Sequence, residues 1–161
     1  MQQHELGALL LTTETNVRYF TGFLTRFWES PTRPWYLISP QSGKPIAVIP
    51  SIGEALMSKT WVEDIRTCPS PDLTDDGINL LSETLNEVAK KNRVGIPSGA
   101  ETHVRIPRND LIKLSQNVNL SHDFEIVKNL RMIKSKEEII KIEKACMIAK
   151  EAFNRVPEIA S

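Results

Sequence analysis

The stretch from Asn129 to Pro157 constrains the fold more than any other part of the chain. It has the pattern of a long amphipathic helix, and the rest of the sequence offers nothing to cover its apolar stripe. Ser135 and Glu138 form an S-x-x-E capping box at the helix start. Ile139, Ile142, Cys146, Ala149 and Phe153 then recur at steps of three and four residues, which places them on one face. Burying such a stripe stabilises by on the order of 5 to 10 kcal/mol, at ~1.5 to 3 kcal/mol for each large apolar side chain. The expectation is therefore a partner domain or subunit that receives this helix. A boundary near Lys128 to Lys134 divides the chain into an expected domain over 1–128 and a linker with its helix over 129–161.

Upstream, short apolar runs alternate with helical patterns. Leu6 to Thr12 (LGALLLT) fits a central strand buried on both faces. Thr15-Asn16 can cap a helical turn through Val17, Tyr19 and Phe20, which Gly22 closes in the left-handed conformation. Trp35 to Ser39 and Ile46 to Ile49 flank the turn Pro40 to Pro45 as an antiparallel hairpin. A short helix over Gly53 to Lys59 and a short strand over Trp61 to Arg66 follow. Thr74, Asp75 and Asp76 then open a helix that carries Ile78, Leu81, Leu85 and Val88 on one side. Lys90-Lys91 close it, so the charges suit the helix dipole at both ends. Val94 to Ile96 predicts a strand, Pro107 the first turn of a helix bearing Leu111 and Leu114, and Val118 to Leu120 a last strand. Strands separated by helices, with one hairpin inserted, predict an α/β fold: a mixed sheet flanked by helices.

Charge and composition narrow the function classes. Twenty basic and twenty acidic residues cancel, so no net field attracts nucleic acid or an anionic membrane. No apolar run approaches the ~20 residues of a membrane span, and MQQHELG lacks the layout of a signal peptide, which makes a cytoplasmic location the simplest expectation. Cys68 and Cys146 are expected to be small buried thiols, with no disulfide and no thiolate metal cluster.

Catalytic signatures are not found. His4, His103 and His122 lack partners at metal-ligand spacing and are expected at the surface. Ser121-His122-Asp123 holds triad letters, but consecutive strand residues alternate faces and cannot form a relay. Ser42-Gly43-Lys44 lacks the frame of a phosphate loop, and Asp75-Asp76 has the chemistry of a helix cap rather than of a cation site. No catalytic residue and no metal ligand is assigned.

One segment remains, an aromatic and arginine loop of Arg26, Phe27, Trp28, Glu29 and Arg33 that prolines keep irregular. Exposed Trp beside Arg is the composition of interface hot spots, and Arg holds carboxylates through two parallel hydrogen bonds. The alternative is that Trp28 and Trp35 simply cover the sheet, Trp35 being the better core member because strand residues flank it.

Two segments carry a family resemblance. Asn16-Val17-Arg18-Tyr19-Phe20-Thr21-Gly22-Phe23 resembles the N-x-x-Y-x-T/S-G-F/W signature near the start of the creatinase, prolidase and aminopeptidase P proteins. Leu130-Arg131-Met132-Ile133-Lys134-Ser135, continuing through Glu138-Ile139, is similar to their L-R-x-I-K-S-x-x-E-I linker, which leads into the first helix of the catalytic domain. The resemblance implies a non-catalytic amino-terminal domain of ribonuclease-H-like topology. It implies a parent resembling an Xaa-Pro aminopeptidase or dipeptidase, whose pita-bread catalytic domain binds two divalent metals, manganese, cobalt or zinc, through two Asp, one His and two Glu. None of those ligands is assignable in this chain, which is expected to be inactive alone.

The partners implied are the chain's own catalytic domain, a second subunit, and a peptide or small-molecule substrate. In that family the amino-terminal domains build the dimer and lean over the neighbouring active site. Trp28 and Arg33 match the creatinase Phe and Arg that reach the partner's substrate, with Arg26 as a substitute. A metal-free scaffold, or a hydrolase of a small metabolite's carbon–nitrogen bond, stays open as the parent's function.

Overall fold

Leu6–Leu11 forms β1 with all six residues buried, the mark of a strand covered on both faces. The computed structural model describes residues 1–30 and 33–159. The chain falls into two compact units, Met1–Ile126 and Val127–Ser161.

In the first unit β1 is followed by α1 (Glu14–Thr21), β2 (Tyr36–Pro40), β3 (Ile46–Pro50), α2 (Glu54–Met57) and β4 (Asp64–Cys68). Then come α3 (Ile78–Ala89), β5 (Arg93–Ile96), α4 (Arg108–Asn117) and β6 (Leu120–His122). The six strands form one sheet in the order β4-β3-β2-β1-β5-β6. Strand β2 runs antiparallel to both neighbours, whereas the β1–β5, β5–β6 and β3–β4 pairs are parallel. This is the mixed α/β sheet expected from the alternating pattern, with the hairpin placing the antiparallel strand.

Side chains of α3 and α4, among them Leu81, Leu85 and Leu114, build one core layer with Leu10, Ile38, Val48 and Val94 of the sheet. Gly7 makes close approach possible there, since a Cβ at that position would lie 2.7 Å from both the Cα and the carbonyl oxygen of Ala89. Trp35 packs with Phe23, their ring centroids 5.3 Å apart, and a Cβ on Gly53 would stand 2.3 Å from the Trp35 ring.

Several boundaries differ from the sequence expectation, because pairing and capping geometry decide them. Thr13, not Thr15-Asn16, caps α1 by accepting the Asn16 N–H at 3.4 Å, and Gly22 ends it at φ 75° as expected. Strand β4 starts at Asp64 because its parallel register pairs Ile46 with Asp64. Trp61 stays outside it, its indole N–H donating to the Phe20 carbonyl at 2.9 Å. Val118 closes α4 through a bond to the Leu114 carbonyl, which moves β6 to Leu120–His122. Asp75 does cap α3, accepting the Ile78 and Asn79 N–H groups at 2.9 and 3.2 Å.

Of the two thiols expected to be buried, one is. Cys68 is buried, but Cys146 is exposed because the face of the terminal helix that carries it is itself exposed. Burial, with the carboxylates of Asp76 and Asp75 nearby, pushes the Cys68 thiol up to about 11. A raised folded-state value contributes stability that is complete below the unfolded thiol's pKa of about 9 and is lost as pH rises through about 11. At about pH 8, iodoacetamide should alkylate Cys146 readily and Cys68 only after unfolding. Rapid modification of both thiols, read by peptide mass mapping, would count against this packing.

The second unit contains α5 (Ile126–Met132, beginning at the boundary) and α6 (Lys136–Ile159). The expected capping box is formed: Ser135 N–H donates to Glu138 Oε2 at 2.8 Å, and Glu138 N–H donates to Ser135 Oγ at 3.2 Å. The α6 stripe is exposed, Ile139 to 46%, Ile142 to 48% and Phe153 to 76%.

Candidate functional site

The segment between α1 and β2 is built around a tryptophan that faces inward. Thr25 Oγ1 accepts the Phe27 N–H at 3.2 Å and starts a short 3-10 turn over Arg26–Glu29. The turn brings Trp28 to within 6.0 Å of the Trp35 ring and leaves it 8% exposed. Of the two readings left open for Trp28, an exposed hot spot or a cover for the sheet, its burial fits the second. Neither Trp28 nor Trp35 finds a hydrogen-bond acceptor for its indole N–H among the described residues, so the two rings are held by packing and not by their own polar atoms.

What the turn exposes is Arg26, Phe27 and Glu29. Phe27 stacks on Trp35 at 6.4 Å yet stays 40% exposed, and Arg26 is exposed without an ion pair among the described residues. Arg33 is half-buried, its guanidinium 5.9 Å from the Phe27 ring centre and its Nη1 donating to the Ser70 carbonyl. The three loop residues singled out in the sequence therefore occupy one short segment in different environments: Trp28 inside, Arg33 between, Arg26 outside.

Arg105 ties this loop to the sheet, and sequence reasoning missed it. Its Nη1 donates to the Arg33 carbonyl at 2.7 Å, and its Nη2 to the carbonyls of Trp28, at 3.4 Å, and Ser30. Its guanidinium lies 5.3 Å from the centre of the Trp28 ring. Its own N–H donates to Thr12 Oγ1 at 2.9 Å, just beyond β1. Partial burial lowers its pKa without discharging it. The one local hint was a cation flanked by Val104 and Ile106.

The histidines take part in packing at the surface. His4 stacks on Phe124 at 4.0 Å and His122 lies 3.9 Å from the same ring, whereas His103 is exposed. Among the described residues no group of three or more His, Cys, Asp or Glu side chains could hold a metal ion. The metal pair implied by the resemblance therefore finds no ligand set among the described residues. Among the same residues no helix is long and apolar enough to cross a membrane.

Fold and loop together define a mixed α/β domain that displays an aromatic and cationic surface. Residues 1–133 match the Creatinase/Prolidase N-terminal domain, and the chain belongs to that family. An uncharacterized peptidase of Staphylococcus aureus (strain USA300) is 27% identical over 156 residues, which cover 92% of this chain and 39% of that protein. Among solved structures, a recombinant prolidase from Thermococcus sibiricus superposes with a TM-score of 0.76 at 21% identity, over 98% of this chain and 41% of that one. A dipeptidase from Pyrococcus horikoshii OT3 gives 0.74 at 22% identity, over 98% and 41%. At that identity the structural likeness establishes the fold, and the chain spans about two fifths of the length of each of these three relatives.

Proposed function

We propose that this chain is the amino-terminal domain, over 1–128, and the linker with the first catalytic-domain helix, over 129–161, of an Xaa-Pro peptidase-like metallohydrolase. In that parent, a cytoplasmic dimer, the domain mediates dimerisation and shapes the neighbouring subunit's active site, while the metals and the bond cleavage belong to the following domain. The α6 stripe docks onto that domain. Arg26 reaches toward a substrate carboxylate of the neighbour, Trp28 anchors the loop from within, and Arg33 shares its guanidinium between the loop and the Ser70 carbonyl.

The observation that carries this reading is the loop itself: Arg26 and Phe27 are displayed on a segment that Arg105 fastens at three carbonyls. A binding group on a rigid support loses little entropy on contact. The test uses the full-length parent. Subunits with Arg26→Ala and Arg33→Ala are mixed with subunits that have an intact loop but lack a metal ligand. Removing a charge-assisted contact should lower kcat/KM by about tenfold to a hundredfold in the loop mutant. The mixed dimer should then show more activity than the two parent dimers together. If the mixture shows only the sum of its components, the reach across the dimer is refuted.

A further inference from the structure

Outside the aromatic packing, Arg33, Tyr36, Asp76, Arg105 and Asp110 line one cleft of about 310 Å³, near the lower end of the roughly 300 to 1,000 Å³ of small-molecule sites. Its position follows from the topology. Arg105 is bonded to Thr12 just past β1, Asp76 follows β4, and Tyr36 opens β2, which runs against β1 and so begins at the edge where β1 ends. The cleft thus lies outside the carboxyl ends of the parallel strands, where open α/β sheets place their ligand crevices. Asp110 enters it from the first turn of α4.

Two guanidinium groups and two carboxylates share this space, yet no ion pair joins them among the described residues. Arg105 gives its side-chain bonds to carbonyls of the loop, and Arg33 gives Nη1 to Ser70, so neither guanidinium is neutralised by a carboxylate among the described residues. Asp110 has one long pairing, with Lys113 at 3.9 Å, and Asp76 accepts the Asp72 N–H at 3.0 Å. The crevice is thus lined by both signs of charge without an ion pair between them, beside the buried Tyr36 and the apolar Ile106 and Pro107. A molecule complementary to a cleft lined by both signs of charge carries both charges itself and a small apolar body.

We propose that this cleft binds a free α-amino acid, its carboxylate on Arg33 at the arginine end and its ammonium between Asp76 and Asp110. The site lies wholly within the first unit and does not rest on the reach across the dimer. Titration of the 161-residue chain with L-alanine and L-valine, followed by NMR of the arginine side-chain N–H groups and the Arg105 amide, should show saturable shifts at millimolar concentration. N-acetyl-L-valine and L-valinamide, which each lack one charge, should bind at least about tenfold more weakly. Asp76→Asn and Asp110→Asn should each weaken L-valine binding to the same extent while Lys44→Gln leaves it unchanged, retention of the amide spectrum showing that each variant is folded. No saturable shift with either amino acid would overturn the proposal. So would equal binding of the acetylated or amidated probe, or unchanged affinity in folded variants of both aspartates.

Discussion

Replacing Arg105 with Met should lower the free energy of unfolding by about 2 to 4 kcal/mol, because charge-assisted hydrogen bonds contribute roughly 1.5 to 3 kcal/mol and buried acceptors left unpaired cost more than a lost contact. The Met side chain retains the apolar reach across Trp28 but leaves the Arg33 carbonyl and those of Trp28 and Ser30 without this donor. Ring packing between Trp28 and Trp35 depends on that fastening, so near-ultraviolet circular dichroism should weaken together with stability. Urea unfolding followed by tryptophan fluorescence measures the effect. A change below about 0.5 kcal/mol, the usual range for a surface substitution, would show that the loop holds itself.

Leu81→Ala should cost about 2 to 5 kcal/mol, since Leu81 is fully buried on α3 among Leu10, Ile38 and Val94, and the packed neighbours cannot collapse into the void. The same truncation at Ile139 on α6, which is 46% exposed, should change the stability of this chain by less than about 0.5 kcal/mol. The contrast is informative because both residues belong to apolar stripes at helical spacing. If Ile139→Ala in the isolated chain proved as damaging as Leu81→Ala, its stripe would already be covered and the proposed docking onto a following domain would lose its physical basis. In the full-length parent the Ile139 cost should rise toward the core value.

The readable parts share one property. Each is encoded by neighbours in the chain: the unbroken apolar run of β1, the two runs flanking the Pro40 to Pro45 turn, the stripe of α3 with Asp75 at its start, and the reciprocal bonds of Ser135 and Glu138. Strand ends were less legible, because β4 and β6 begin where a partner's register permits pairing. The candidate loop was visible as a composition, but its inner and outer sides were not. Burial of Trp28 depends on Trp35 across the turn and on Arg105 from the β5–α4 connection.

Sequence by itself determined the element order, the mixed sheet, the capping residues at the starts of α3 and α6 and the family signature, because periodicity and capping are short-range chemistry. Tertiary structure alone decided which arginine anchors the loop, which tryptophan faces inward, and that Arg33, Asp76 and Asp110 border one cleft. Those groups come from separate connections of the sheet, and only the crossover that sets β1 beside β5 brings them to the same edge.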